Sequence, residues 1–193
     1  TIKEQSTQLY QEGQSIEIPP QYQDDFSEFG SLQINPAERQ TLKSLRDEAD
    51  QNSVEYGCVI SNGKPSKHFT SGLKGKVQIP TDLLSQNNIK LYHSHTDVTV
   101  LSREDLRHLT KENVMEVGTV TSNGDVFTVS RGYGDLVTEA EYDEIAEVIS
   151  KQAYEEAMAD PGFYSMTNQQ RHYTRVRIQM RLLVRHFGCS RYQ

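Results

Sequence analysis

The chain has 193 residues, a formal net charge of −7, 35% hydrophobic residues and no tryptophan. That length permits one domain with a sizeable core plus extensions, and the acidic balance argues against nonspecific nucleic-acid binding as the main activity. No apolar run approaches the length of a membrane span and no secretory signal opens the chain, while Thr1 at the start points to a segment of a longer polypeptide.

Residues 1–34 are glutamine-rich, lack apolar periodicity and contain Pro19-Pro20, so they read as a linker or docking arm with Phe26 and Phe29 as anchors. The first helix is expected over Pro36 to Asp50. Asn35 is its cap, Pro36 takes the first position, Glu38 completes a box-like start, and Leu42, Leu45 and Ala49 form the buried stripe. Two extended segments follow, Glu55 to Ile60 closed by the turn pair Asn62-Gly63, and His68 to Ile79 with breaks at Gly72 and Gly75. A short helical piece from Thr81, a strand from Ile89 to His93 and a helix from Ser102 to Lys111 come next. Val117 to Ser122, the turn Asn123-Gly124 and Val126 to Ser130 read as a hairpin. The order predicts an α+β core over residues 35–134 with a mixed β-sheet and flanking helices.

Residues 135–193 form a C-terminal helical extension in this reading. Thr138 and Glu141 make a capping box that opens a helix to Ala159, and Asp160-Pro161-Gly162 separates it from a second helix over Asn168 to Phe187. The first helix is acidic, and the second carries Arg171, Arg175, Arg177, Arg181 and Arg185 with no acidic residue. Opposite charge favours a helical hairpin, and Val176, Met180, Leu183 and Val184 among the arginines favour a half-buried amphipathic helix over a nucleic-acid binder. Cys58 and Cys189 form neither a zinc knuckle nor a disulfide framework and fit a reducing compartment.

Chemistry concentrates in LYHSHTDVTVLSREDL. His93 and His95 stand two apart, so on an extended strand both imidazoles leave from one face and can converge on one ion. Asp105 falls in the first turn of the next helix, and these three ligands leave a fourth zinc position for water, the arrangement of a catalytic site. The plain alternatives are that the histidines are surface residues beside a loop and that Asp105 only caps its helix with Ser102. His-x-His-x-Asp also opens the metallo-β-lactamase motif, but Val98 stands where that motif needs histidine. Amidohydrolase barrels begin similarly and typically need about 250 residues. His68, His108, His172 and His186 form no second cluster by spacing, and His108 is a neighbour of Asp105 more than a ligand.

His93-Ser94-His95, Ser102 and Asp105 resemble the JAMM or MPN-plus metallopeptidase motif, His-x-His-Pro, six residues, Ser-x-x-Asp. Thr96 replaces the proline, and five residues separate it from Ser102. Loops tolerate such shortening, and shortened loops are a feature of bacterial and phage toxin-associated members. The family's catalytic glutamate sits on an earlier strand, in Glu-x-x-Gly. Here the counterpart is Glu55 in Glu-x-Gly, which leaves its facing open by one residue between cleft and solvent. The resemblance implies zinc held by His93, His95 and Asp105, Glu55 as general base and Ser102 as oxyanion donor. The implied activity is hydrolysis of a peptide or isopeptide bond, with a protein or peptide substrate that includes ubiquitin-like tails. A toxin or effector of this branch would act in a cytoplasm after delivery within a larger phage or secreted polypeptide, opposed by an immunity protein. The alternative is a catalytically inactive MPN-like interaction module, and a nucleic-acid-associated member has only the C-terminal arginines in its favour.

Overall fold

The computed structural model describes residues 34–132 and 137–192. Of the arm expected over residues 1–34, Phe26 and Phe29 included, only Ile34 falls within the described residues, and it is buried. The elements are α1 (Pro36–Asn52), β1 (Gly57–Ser61), β2 (Lys64–Pro65), α2 (Thr81–Leu84), β3 (Ile89–Ser94), α3 (Arg103–Arg107), β4 (Val114–Val120), β5 (Val126–Ser130), α4 (Glu139–Ala159), α5 (Asn168–His186) and β6 (Ser190–Tyr192). Single 3₁₀ turns at His108–Thr110 and Phe163–Ser165 extend α3 and bridge α4 to α5. Among the described residues no helix is long and apolar enough to cross a membrane.

The sheet is mixed, in the order β2-β1-β3-β4-β5-β6, with β3 and β4 parallel and every other pair antiparallel. Asn62 and Gly63, both at positive φ, close the two-residue β1–β2 hairpin, as a type I′ turn requires. Alternation along the strands divides the apolar side chains between two faces. Cys58, Ile60, Tyr92, Val120 and Val126 pack against Leu42 and Leu45 of α1 on one face. Val59, Leu91, Val117 and Val129 pack on the other face against Leu106 of α3, Tyr142, Ala146 and Ile149 of α4, and Met180, Leu183 and Val184 of α5. The protein is therefore α+β with helices on both sides of a mixed sheet. Both helices of the C-terminal hairpin contribute to the same apolar cluster as β1, β3, β4 and β5.

Caps explain the helix starts. Asn35 accepts from the Ala37 N–H at 2.8 Å, and Thr138 and Glu141 form a reciprocal box. Thr167 and Gln170 form another that opens α5, and each such cap contributes on the order of 1 kcal/mol. Glu38 does not complete a box with Asn35. It accepts from Lys90 Nζ at 2.7 Å and from the Tyr92 hydroxyl at 3.2 Å, which ties α1 to β3.

The expected strand over 68–79 is not formed. Among the described residues that segment pairs its backbone with the sheet only at the bridge between Phe69 and Gly57, and otherwise runs as a loop wall with a local bridge between Leu73 and Lys76. Gly72 and Gly75, both at φ +71°, turn the chain away from extended geometry twice within four residues. The arginine-rich α5 is amphipathic as expected, with Tyr173, Thr174, Ile178, Met180, Leu183 and Val184 buried.

Candidate metal centre and cleft

β3 is the hub of the site. It ends at Ser94, and the ladder continues one residue further, where the His95 N–H donates to the Val120 carbonyl at 2.8 Å. His93 and His95 therefore keep strand spacing and the same facing, with Nε2 atoms 2.8 Å apart. Because β3 and β4 are parallel, the chain must cross over between them. That crossover carries His95, Ser102 and Asp105.

The loop after His95 is firmly held. Val98, Val100 and Leu101 are buried, the Asp97 carboxylate accepts from the Thr99 N–H at 2.8 Å, and the Asp97 carbonyl accepts from Ser122 N–H at 2.8 Å. Val98, at the position that separates this chain from the metallo-β-lactamase pattern, is core. The loop delivers Ser102 as the N-cap of α3 in a full capping box with Asp105. The Ser102 N–H and hydroxyl both donate to Asp105 Oδ2, at 2.7 and 2.8 Å. Asp105 Oδ1 is left facing His93 Nε2 at 3.4 Å.

The donor set fits a small divalent ion. One ligand atom from each of His93, His95 and Asp105 lies within 4.8 Å of the others, and they are the one such group among the described residues. A tetrahedral ion with bonds of about 2.0–2.1 Å separates its ligand atoms by about 3.3 Å. The observed 2.8 and 3.4 Å bracket that spacing. His95 is also oriented for the task. Its Nδ1 lies 2.7 Å from the Thr99 carbonyl oxygen, so the proton of the neutral ring sits on Nδ1 and the Nε2 lone pair faces the site, the support that metal-binding histidines usually have.

Burial pushes the His93 imidazole down to about 4, although the Asp105 carboxylate pulls the other way. The ring is thus neutral near pH 7 and able to ligate. Burial also opposes ionisation of Asp105, but His93, His95 and the Ser102 donors outweigh it and hold the carboxyl below its ordinary value.

Sheet register resolves the facing of Glu55. Gly57 pairs with His93, and Ser94 N–H donates to the Tyr56 carbonyl at 2.8 Å. Continuing that antiparallel register by two residues sets Glu55 opposite His95, and opposite residues share a face. Glu-x-Gly therefore places Glu55 on the same face as both imidazoles, immediately before β1 and not within it. Its side chain is buried, and burial pushes the carboxyl up to about 7, with His95 opposing the rise and Asp105 and Asp97 adding to it. Gly57 is needed beside it, because a Cβ there would lie 2.5 Å from Phe69 Cε2 and 2.8 Å from Val77 Cγ1.

These residues line one cleft of about 800 Å³. Its floor carries Glu55, His93, His95 and Asp105, and one wall is the loop with Phe69, Lys76 and Val77. Another part of the lining is helical, formed by Ser150 and Ala153 of α4 and by His172, Arg175, Val176 and Gln179 of α5. Sequence reading missed that wall, as well as Thr99 behind His95. The signal for α5 was present, since 172, 175, 176 and 179 follow the i, i+3, i+4, i+7 spacing of one helix face, but nothing in the sequence said what that face meets. His108 also lines the cleft, and burial, with Lys111 beside it, lowers its pKa.

No protein-family model, curated protein or solved structure matches this chain.

Proposed function

We propose that the protein is a zinc-dependent hydrolase of the JAMM type that cleaves a peptide or isopeptide bond in this cleft. The observation that carries the proposal is the convergence of a buried carboxyl, Glu55, with His93 and His95 on one sheet face, which the register of β1 on β3 enforces, and with Asp105 from α3. Two imidazoles and one carboxylate suit zinc better than calcium or magnesium, which prefer oxygen donors. A bound zinc ion supplies a Lewis acid and brings a water into the neutral titration range.

The chain's own residues divide the remaining work. Glu55, buried on the same face as both imidazoles, accepts the proton of the attacking water and returns it to the leaving amine. Ser102 holds Asp105 at Oδ2 and so aims Oδ1 at the metal position. The resemblance also implies an oxyanion role for this hydroxyl, which donates to Asp105 Oδ2 here.

A metal-free interaction module is the second reading. What favours it is that the capping box alone accounts for Asp105 Oδ2. Zinc affinity separates the two. Competition with a fluorescent chelator should show one zinc per chain, lost in His93→Ala. Mass spectrometry of peptide pools and of an isopeptide-linked conjugate should show cleavage that falls at least about 100-fold in Glu55→Gln, with zinc retained. An unchanged rate in that variant removes Glu55 as the base, and absence of zinc binding moves the protein to the second reading.

A further inference from the structure

Arg175 is set apart from the other arginines of α5. Arg171 donates to the carbonyls of Phe163 and Tyr164, Arg181 pairs with Glu156, and Arg177 is buried over the Phe127 ring. Arg175 is exposed, lines the cleft, and rests its guanidinium 5.2 Å from the centre of the Tyr154 ring. Stacking on an aromatic face orients a guanidinium without neutralising it, and leaves its fork of N–H donors facing outward. No carboxylate among the described residues pairs with it. Lys76, which also lines the cleft, is likewise exposed and without an ion-pair partner among the described residues. By contrast, the cleft's third strong cation, Arg103, is engaged by Glu104 and Glu147.

The charge in this cleft is therefore mixed. Acidic Asp97 and Asp105 lie close enough to Glu55 to raise its pKa, and two cations without an ion-pair partner among the described residues, Lys76 and Arg175, line the same cleft. The same α5 face adds His172 and Gln179, and Gln179 donates to the Ser150 hydroxyl, which also accepts from Arg103. A chain bound with its amide at the floor passes along this lining.

We propose that this wall selects the substrate: Arg175, with Lys76 in the same cleft, binds a carboxylate of the substrate a few residues from the scissile amide, so that the protein acts on acidic peptide segments. This rests on the hydrolase reading and adds the substrate class to it. A guanidinium preset over Tyr154 can grip a carboxylate through two parallel N–H donors, whereas an ammonium offers only a point charge. Substrates that present cations at the same place are disfavoured by the same pair.

Binding to the zinc-loaded full chain carrying Glu55→Gln tests this without turnover. The probes are fluorescein-labelled hexapeptide pools with one position at a time fixed as Glu or as Gln, followed by anisotropy at low and at high salt. At least one Glu pool should bind about fivefold more tightly than its Gln counterpart at low salt, the range of a solvent-accessible charge pair. Adding Arg175→Gln should bring that ratio toward one, adding Arg175→Lys instead should keep part of it, and high salt should erode it. Equal binding of all Glu and Gln pools, or a preference that survives Arg175→Gln, overturns the inference. Cleavage of the same pools by the wild-type chain is followed separately. Cleavage without an Arg175-dependent preference rejects only the carboxylate site, and an Arg175-dependent preference without cleavage rejects only the hydrolase.

Discussion

Replacing Glu55 by glutamine should stabilise the metal-free protein, and by an amount that depends on pH. The carboxyl is buried, and its folded-state pKa is raised from 4.5 to about 7. Below 4.5 the group is protonated in both folded and unfolded chains and costs nothing. As pH rises, the unfolded chain releases the proton first, so stability falls until the folded group also ionises near 7 and is level above that. At about 1.4 kcal/mol for each pKa unit, the ionised carboxylate costs about 3 kcal/mol near pH 8. Glu55→Gln keeps the shape of the side chain and removes the charge. For a chain of this size the variant's melting temperature should exceed that of the wild type by about 6–12 °C near pH 8, and match it near pH 4. Thermal or urea unfolding with a chelator present, at several pH values between these limits, measures the difference directly. A gap between variant and wild type that does not change with pH would refute the burial argument. Adding zinc should shrink the gap, because a cation at the floor of the cleft favours the ionised form.

Three further outcomes follow from the geometry. Asp105→Asn retains an oxygen for the Ser102 N–H but loses the ligand charge, so zinc affinity should fall on the order of 100-fold while stability changes by less than about 1 kcal/mol; equal affinity in a chelator competition would return Asp105 to a purely capping role. Thr99→Val removes the hydroxyl that lies 3.1 Å from His95 Nδ1 and donates to Asp97, and zinc should bind about tenfold more weakly, an effect absent if His95 is oriented by the Thr99 carbonyl alone. Gly57→Ala drives a methyl into Phe69 and Val77 and should cost about 1–3 kcal/mol in urea unfolding, with loss of cleavage because the loop wall is displaced; a neutral result would mean that this wall yields freely.

Much of this molecule was legible without coordinates, because the relevant physics is local. Capping chemistry located Asn35, Ser102 and Thr138 at the starts of α1, α3 and α4, since an N-cap oxygen and the backbone N–H groups it serves lie within three residues. The period of 3.6 identified the buried stripe of Leu42, Leu45 and Ala49. A period of two put His93 and His95 on one face, and the short crossover placed Asp105 beside them. Non-local relations were not legible. Whether Glu55 faces the imidazoles depends on the register of β1 against β3, set by hydrogen bonds between residues nearly forty positions apart. The segment 68–79 has strand-forming residues, but it pairs with the sheet at Phe69 alone among the described residues, and a strand needs a ladder for its backbone groups. The Glu38 carboxylate left the helix cap for Lys90 and Tyr92, partners that only the packing of α1 on the sheet supplies. The α5 stripe at 172, 175, 176 and 179 was periodic in the sequence, but periodicity names a face and not its neighbour. Sequence alone therefore determined the helices, the hairpins and the three candidate ligands, which short-range sterics and hydrogen bonding dictate, and tertiary packing decided that a buried glutamate and an arginine-bearing helix close around them to make a cleft.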